Sequence, residues 1–200
     1  LNQTLEEIRK SLPLKNETPS EWASLAISNI NDFLTDHASC ERKAHAAAMM
    51  FVNKYTDLPI LQDRMISLAL EELVHFQQVV ELMRARQLPL KADGVDRYVQ
   101  QLLTKARNPK DQHLLDRLMI TAVIEARSAE RFCLFAEALP GGDLKTFYQK
   151  FACEEARHFP YFVETARLLF NESDVSNALG VMLDLDAQLI KELPLTPTVH

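Results

Sequence analysis

Two short stretches of this sequence pair a carboxylate with an imidazole three residues apart, Glu72-Leu-Val-His75 and Glu155-Ala-Arg-His158. On a helix, residues three apart lie on one face one turn along, so the two side chains converge on a common point where a divalent metal can be held. A single Glu-x-x-His is a weak signal, because helix surfaces often carry i,i+3 polar pairs. Repetition makes it a strong one. Sliding the sequence on itself by 83 residues superposes Glu71-Glu72-Leu-Val-His75-Phe76 on Glu154-Glu155-Ala-Arg-His158-Phe159, and Val80-Glu81 on Val163-Glu164; a shift of 84 places Glu41 on Glu125. The halves, about 36–90 and about 118–172, thus each hold one glutamate followed roughly thirty residues later by a Glu-x-x-His, the pattern of a duplicated helical hairpin.

The candidate ligands are Glu41, Glu72 and His75 from the first half and Glu125, Glu155 and His158 from the second. Four carboxylates and two imidazoles projecting inward from four helices form the donor set of dimetal carboxylate bundles. Without metal, carboxylates buried together repel one another and lose hydration, which forces protonation. Oxygen and nitrogen donors without thiolate suit iron or manganese better than structural zinc. Several neighbours compete for these roles. His37 and His45 flank Glu41 by four residues on either side; either could be an extra ligand, and both are read in preference as outer partners or surface groups. Glu130 is an alternative to Glu125, but it lies off the apolar seam and breaks the register with Glu41. Glu71 and Glu154 point away, Cys40, Cys133 and Cys153 read as reduced core thiols, and His113 and His200 have no supporting pattern.

Helices must position these residues. Thr18-Pro19-Ser20-Glu21 reads as an N-cap, a first-turn proline and a capping-box glutamate, so a helix is expected from about Pro19, burying Trp22, Leu25, Ile30 and Phe33. Helical composition continues through 38–55, with an interruption at Asp36-His37 left open. From Pro59 to Gln87, an inward seam runs Leu61, Met65, Leu68, Glu72, His75, Val79, Leu82. A shorter helix is expected after Asp93, and a long one over about Asp111–Leu139 with its seam at Leu118, Ala122, Glu125, Ala129, Phe132 and Ala136. Pro140-Gly141-Gly142 breaks the chain. Asp143 then caps a helix with the seam Phe147, Phe151, Glu155, His158, Phe162, Leu169, and a last amphipathic helix spans Asp174–Leu193. No stretch reads as a strand, so the fold class expected is all-α, a four-helix bundle with additional flanking helices in one domain over 1–200.

Composition is compatible with that reading. Of 200 residues 47% are hydrophobic and four are glycine, which disfavours an all-β fold rich in tight turns. No run approaches the roughly 20 apolar residues of a membrane span, the first residues lack a basic region followed by an apolar stretch, and a cytoplasmic setting is the default. The three cysteines form no Cys-x-x-Cys pair. The chain is acidic, at −6, yet Arg84, Arg86, Lys91, Arg97, Lys105, Arg107, Lys110 and Arg117 outnumber Asp93, Asp96, Asp111 and Asp116 between positions 84 and 117. Such a segment is either a solvated helix surface or a local phosphate-binding face.

The motifs His37-Ala-Ser-Cys-Glu41-Arg-Lys-Ala, Leu70-Glu-Glu72-Leu-Val-His75-Phe, Glu125-Ala-Arg-Ser-Ala-Glu-Arg-Phe132 and Glu154-Glu155-Ala-Arg-His158-Phe resemble the MiaE family of tRNA hydroxylases, within the ferritin-like superfamily. This resemblance implies a ferritin-like di-iron domain and an oxygen-dependent monooxygenase acting on the isopentenyl group of 2-methylthio-N6-isopentenyladenosine beside the tRNA anticodon. All six ligand positions match the family pattern. Two iron ions, dioxygen as co-substrate, tRNA as partner and a separate electron-transfer reductase are implied, the last because no flavin or iron–sulfur motif is present. Phe76, Phe132 and Phe159 are candidate pocket walls or plain core residues. The basic segment gains a use in phosphate contact, and reversing Lys105 and Arg107 is expected to weaken tRNA binding. Rival readings are a ferroxidase or iron-storage protein, a peroxidase-type di-iron protein, and a metal-free helical interaction module.

Overall fold

The structure, a computed structural model, describes residues 3–200, and among them only helices form. They are α1 Leu5–Ser11, α2 Glu21–Ser28, α3 Ile30–Lys54, α4 Pro59–Ala85, α5 Arg97–Leu103, α6 Lys110–Ala138, α7 Asp143–Glu155, α8 His158–Leu169 and α9 Glu172–Glu192. The chain divides into two compact units. One is built from Ser28–Val95 with Pro197–Val199, and it carries the first duplicated half. The other is built from the chain up to Ile27 with Asp96–Thr196 and His200, and it carries the second.

The first unit is an antiparallel pairing of α3 and α4. Pro59 opens α4 at a position where its missing N–H has no helical partner to lose. Phe33, Leu34, Phe51, Leu61, Met65 and Val79 are wholly buried in it. His45 ties the two helices together, its Nδ1 standing 2.8 Å from the Ala69 carbonyl oxygen. Asp93 anchors the segment after α4 by accepting from Arg42 (2.6 Å) and Ser39 (2.5 Å).

In the second unit α6 packs against α1, α5, α7, α8 and α9. That explains why almost every residue from Leu114 to Ala136 is buried, not a single stripe of them. Phe132, Phe135, Tyr148 and Phe151 form an aromatic cluster with contacting ring centroids 4.7 to 6.3 Å apart, edge-on or tilted. Each such pair adds about 1 kcal/mol beyond area burial.

Several local expectations are corrected. α2 starts at Glu21, not Pro19, because the N–H and hydroxyl of Thr18 both donate to Glu130 (2.8 and 2.6 Å) and leave no cap. Asp36-His37 does not interrupt α3; the break falls at Asn29, whose backbone (φ −122°, ψ 41°) leaves the helical region. The short helix expected after Asp93 is α5, capped by Asp96, which accepts from Val99 N–H at 2.9 Å. Gly142, at φ +85°, occupies the cap of α7, with Asp143 as its first residue. A capping box of Thr4 and Glu7 starts α1, a helix with no counterpart in the sequence reading.

The largest departure concerns the second Glu-x-x-His. The sequence reads as one helix, whereas the chain turns at Ala156-Arg157 and divides α7 from α8. Pro160 has no N–H to give the Ala156 carbonyl, and its ring crowds that oxygen. Glu155 therefore ends one helix and His158 begins the next, while Glu72 and His75 ride on the unbroken α4.

Candidate metal centre

In the first unit, α3 presents Glu41 and α4 presents Glu72 and His75, all buried at 4%, 1% and 2% exposure. His75 Nδ1 lies 3.7 Å from Glu41 Oε2 and 3.6 Å from Glu72 Oε2. One ligand atom from each of the three falls within 4.8 Å of the other two. In the second unit, α6 presents Glu125 and the α7–α8 junction presents Glu155 and His158. His158 Nδ1 lies 3.7 Å from Glu125 Oε2 and 3.2 Å from Glu155 Oε2, again with all three within 4.8 Å. The helix break therefore leaves the convergence of Glu155 and His158 intact, because Ala156 and Arg157 keep φ and ψ near helical values.

Each trio brings two carboxylates and one imidazole together where water is excluded. Ionised, its charge of −2 is balanced by one divalent cation; without one, two anions are confined in a poorly solvating site. The donors are oxygen and nitrogen only. Cys40 points its thiol at Asp36 Oδ2 (3.7 Å), and burial pushes the Cys133 thiol up to about 12, far from the thiolate a metal requires. The donor set fits iron or manganese.

The competing residues separate cleanly. Glu130, weighed against Glu125, takes the N–H and hydroxyl of Thr18 and the Arg127 guanidinium at 2.6 Å, so its carboxylate is committed elsewhere. His45 serves the Ala69 carbonyl, and His113 stands 2.9 Å from the Arg107 carbonyl. His37 is fully buried with Nε2 3.0 Å from Glu41 Oε1, behind the first trio and not on the surface. Cys153 is exposed, contrary to the expectation of three buried thiols. Phe132 belongs to the aromatic cluster, and Phe159 packs against Leu12, Ala126 and Ala129. Of the basic segment, Arg84, Arg86 and Lys91 are exposed on the first unit and Arg97, Lys105, Arg107 and Lys110 on the second. Arg107 is not available as a phosphate ligand on the same terms, since its Nε and Nη2 grip Asp116 at 2.7 and 2.6 Å.

Sequence reasoning missed a buried polar network in the second unit. Arg127 Nη2 donates to Asp186 Oδ2 at 2.6 Å, Arg127 Nη1 to Glu130 Oε2 at 2.6 Å, and Tyr98 Oη to Asp186 Oδ1 at 2.7 Å. Burial opposes the charge on Arg127, but Asp186 and Glu130 outweigh it and hold its pKa above the ordinary range. Burial, and then the Asp186 charge, push the Tyr98 phenol well above its usual value. The available signal was Asp186 itself, an acid on the α9 seam between Met182, Leu183 and Leu189.

Comparison with known proteins gives the family. A family description, tRNA-(MS[2]IO[6]A)-hydroxylase (MiaE), matches residues 3–200. The chain belongs to the MiaE family. Two relatives bear the name tRNA 2-(methylsulfanyl)-N(6)-isopentenyladenosine(37) hydroxylase. The Pseudomonas putida protein is 34% identical over 174 residues, covering 87% of this chain and 84% of its own. The Salmonella typhimurium protein is 32% identical over 222 aligned positions, covering 86% of this chain and 82% of its own. A solved structure described as Protein 43 with aldehyde deformylating oxygenase activity from Synechococcus superposes with a TM-score of 0.88 over 94% of each chain, at 31% identity. The all-helical, ferritin-like fold read from the sequence is thus the fold of this MiaE family member. No helix among the described residues is long and apolar enough to cross a membrane.

Proposed function

We propose that this chain is a di-iron, oxygen-dependent tRNA hydroxylase acting on the isopentenyl side chain of 2-methylthio-N6-isopentenyladenosine next to the anticodon. The observation that carries the reading is the pair of buried Glu/Glu/His trios in a chain that matches the MiaE family from residue 3 to residue 200. Glu41, Glu72 and His75 would hold one iron and Glu125, Glu155 and His158 the other, the two halves acting as a single di-iron domain. When reduced, such a centre would supply the activation of dioxygen needed to place one oxygen atom in an allylic C–H bond, the other leaving as water at the expense of two electrons from an external donor.

The chain's own residues do the rest. The carboxylates hold their donor atoms in place on packed helices, so little reorganisation accompanies metal binding. Burial of all six keeps water from the reacting region and protects an oxidising site from wasteful turnover. Arg84, Arg86, Lys91, Arg97, Lys105 and Lys110 are exposed cations suited to tRNA phosphates, which dominate the affinity of such encounters. A modified adenosine in a single-stranded loop is unstacked more readily than a paired base, which lets its side chain enter a protein site. Electrons come from a separate reductase, and a tRNA substrate places the reaction in the cytoplasm.

A second reading is aldehyde deformylation, favoured by the 31% identity to the Synechococcus protein. The trios alone would also serve a ferroxidase or a peroxidase. One experiment separates these: the iron-loaded, reduced protein is offered isopentenylated tRNA, a long-chain aldehyde, hydrogen peroxide with a reductant, or excess Fe(II). Hydroxylated nucleoside from the first alone is the expected result, and turnover of any of the others without nucleoside oxidation overturns the tRNA reading.

A further inference from the structure

A groove of about 440 Å³ lies in the second unit between the start of α6 and α9, within the size range of small-ligand sites, and no residue of either metal trio lines it. Its apolar floor is built by Leu115 of α6, Phe170 at the end of α8, and Ala178 and Met182 of α9. Val181, 54% exposed, carries that apolar surface out to solvent. Lys105 and Arg107 stand at the same groove, and exposed Lys110 follows them in the chain, so it opens within the basic stretch of an otherwise acidic protein. Arg107 is held in a particular way. Asp116, 1% exposed, accepts from its Nε, its Nη2 and its backbone N–H at 2.7, 2.6 and 2.8 Å. The pairing neutralises the guanidinium and pins it along one edge, leaving a flat, fixed surface more than a charge. Guanidinium planes and aromatic rings are the surfaces on which unpaired bases stack, and Phe170 supplies a ring in the same groove.

Resting on the tRNA reading above, we propose that this groove is a subsite for a further unpaired nucleotide of the tRNA, its base against Arg107, Phe170 and the apolar floor and its phosphate at Lys105. Asn177 and Asp111, both exposed at the groove, offer a donor and acceptors to the edge of the base, while Asp174 takes the Asn171 amide at 2.6 Å. Reach is compatible with one loop serving both places. Leu115 stands ten residues before Glu125 on α6, roughly 15 Å along the helix axis. About four stacked nucleotides cover that distance at about 3.4 Å each. A neutralised guanidinium also explains how a cation of the basic stretch serves RNA without gripping a phosphate.

The test is fluorescence anisotropy of isopentenylated tRNA binding to the full chain over a range of salt, with the melting temperature of every variant. Photo-crosslinking of tRNA carrying thiouridine in its anticodon loop, mapped by peptide mass, accompanies it. Crosslinks are expected within residues 105–116 or 170–182 of the wild type. Arg107→Lys keeps the charge and loses the plane, and Ala178→Leu fills the floor. Each is expected to weaken tRNA binding about 5- to 150-fold, the span for one stacked base, with the salt dependence of the wild type. Lys105→Ala is expected to weaken binding and make the salt dependence shallower by about one phosphate contact. If the first two variants do not fold, Val181→Ser, at an exposed position, is expected to weaken binding at unchanged salt dependence by a smaller factor. Wild-type affinity in the folded groove variants overturns the subsite and gives the groove to another occupant. Crosslinks confined to other residues, or a loss in Arg107→Lys that comes entirely from a shallower salt dependence, overturn it as well. Nucleoside hydroxylation in the same samples keeps this failure apart from that of the tRNA reading. If the wild type binds and oxidises tRNA and the groove variants match it, the subsite alone falls; a wild type that neither binds nor oxidises tRNA removes both.

Discussion

Replacing Asp186 with alanine removes the residue that joins two buried partners, through three hydrogen bonds, in the second unit. Asp186 and Arg127 are both at 0% exposure, joined by two contacts, Nη2–Oδ2 at 2.6 Å and Nε–Oδ1 at 3.1 Å, and the Tyr98 hydroxyl adds a third at 2.7 Å. Losing one partner of a buried ion pair costs about 3–5 kcal/mol, because the other charge is left without compensation. Here Glu130 remains 2.6 Å from Arg127 and softens that cost, while the Tyr98 hydroxyl loses its acceptor, worth about 1–3 kcal/mol. The expected net loss is about 3–5 kcal/mol, a large share of the roughly 5–15 kcal/mol that holds most domains together. For a chain of this length that is a fall in Tm of roughly 6–20 °C. Asp186→Asn keeps an acceptor for Tyr98 and the shape of the site, so its loss should be smaller. Urea and thermal unfolding followed by circular dichroism read both values. Two variants within about 0.5 kcal/mol of the wild type would show that the network contributes nothing net, and that the argument from burial is mistaken.

The thiols should separate by exposure: in the folded protein iodoacetamide is expected to modify Cys153 alone, and slowly, because burial and then Glu154 raise its pKa, while Cys40 and Cys133 react only in denaturant. Peptide mass analysis reads this, and early labelling of Cys133 would contradict it. Asp93 has its pKa lowered by the hydrogen bonds from Arg42 and Ser39, so its contribution is present above the ordinary aspartate range and is lost as pH falls through the lowered value. With both side chains of the pair more than a third exposed, the effect is under about 1 kcal/mol; amide exchange in residues 86–95 should quicken only in strong acid, and release near neutral pH would refute the anchor. For tRNA, Arg97→Glu with Lys105→Glu replaces the Lys105/Arg107 reversal, since Arg107 is held by Asp116. Affinity should fall at least about tenfold at moderate salt, with a shallower salt dependence and unchanged iron content, and an unaltered binding curve would remove these residues from the interface.

The candidate ligands were legible because they interrupt an apolar period: Glu72 and His75 stand where leucine belongs on α4, and the same interruption recurs one duplication later. Choosing Glu125 over Glu130 from register agrees with the geometry, since Glu130 is spent on Thr18 and Arg127. The helical composition was equally plain, from proline at the start of α4 to the glycine pair before α7. What escaped depends on partners distant in sequence. Thr18 has the local look of a cap, yet its hydroxyl finds Glu130 at 2.6 Å, 112 residues away, and a helix start moves as a result. Asp186 meets Arg127 across 59 positions, a pairing no local period encodes. Pro160 was visible and went unused; the strength of the repeated motif concealed a breaker that the first copy lacks. His37 could be seen beside Glu41, but only its burial and its 3.0 Å approach distinguish an inner partner from a surface histidine.

The most direct test of the account is the source of one oxygen atom. Iron-loaded protein, an external electron donor and isopentenylated, methylthiolated tRNA are incubated under isotopically labelled dioxygen, and the nucleosides are analysed by mass. The account requires one labelled oxygen on the isopentenyl group of the modified adenosine, and none when Glu72→Ala or Glu155→Ala replaces the wild type. An unmodified nucleoside at full iron occupancy with electrons supplied, or an oxygen drawn from water, would contradict it.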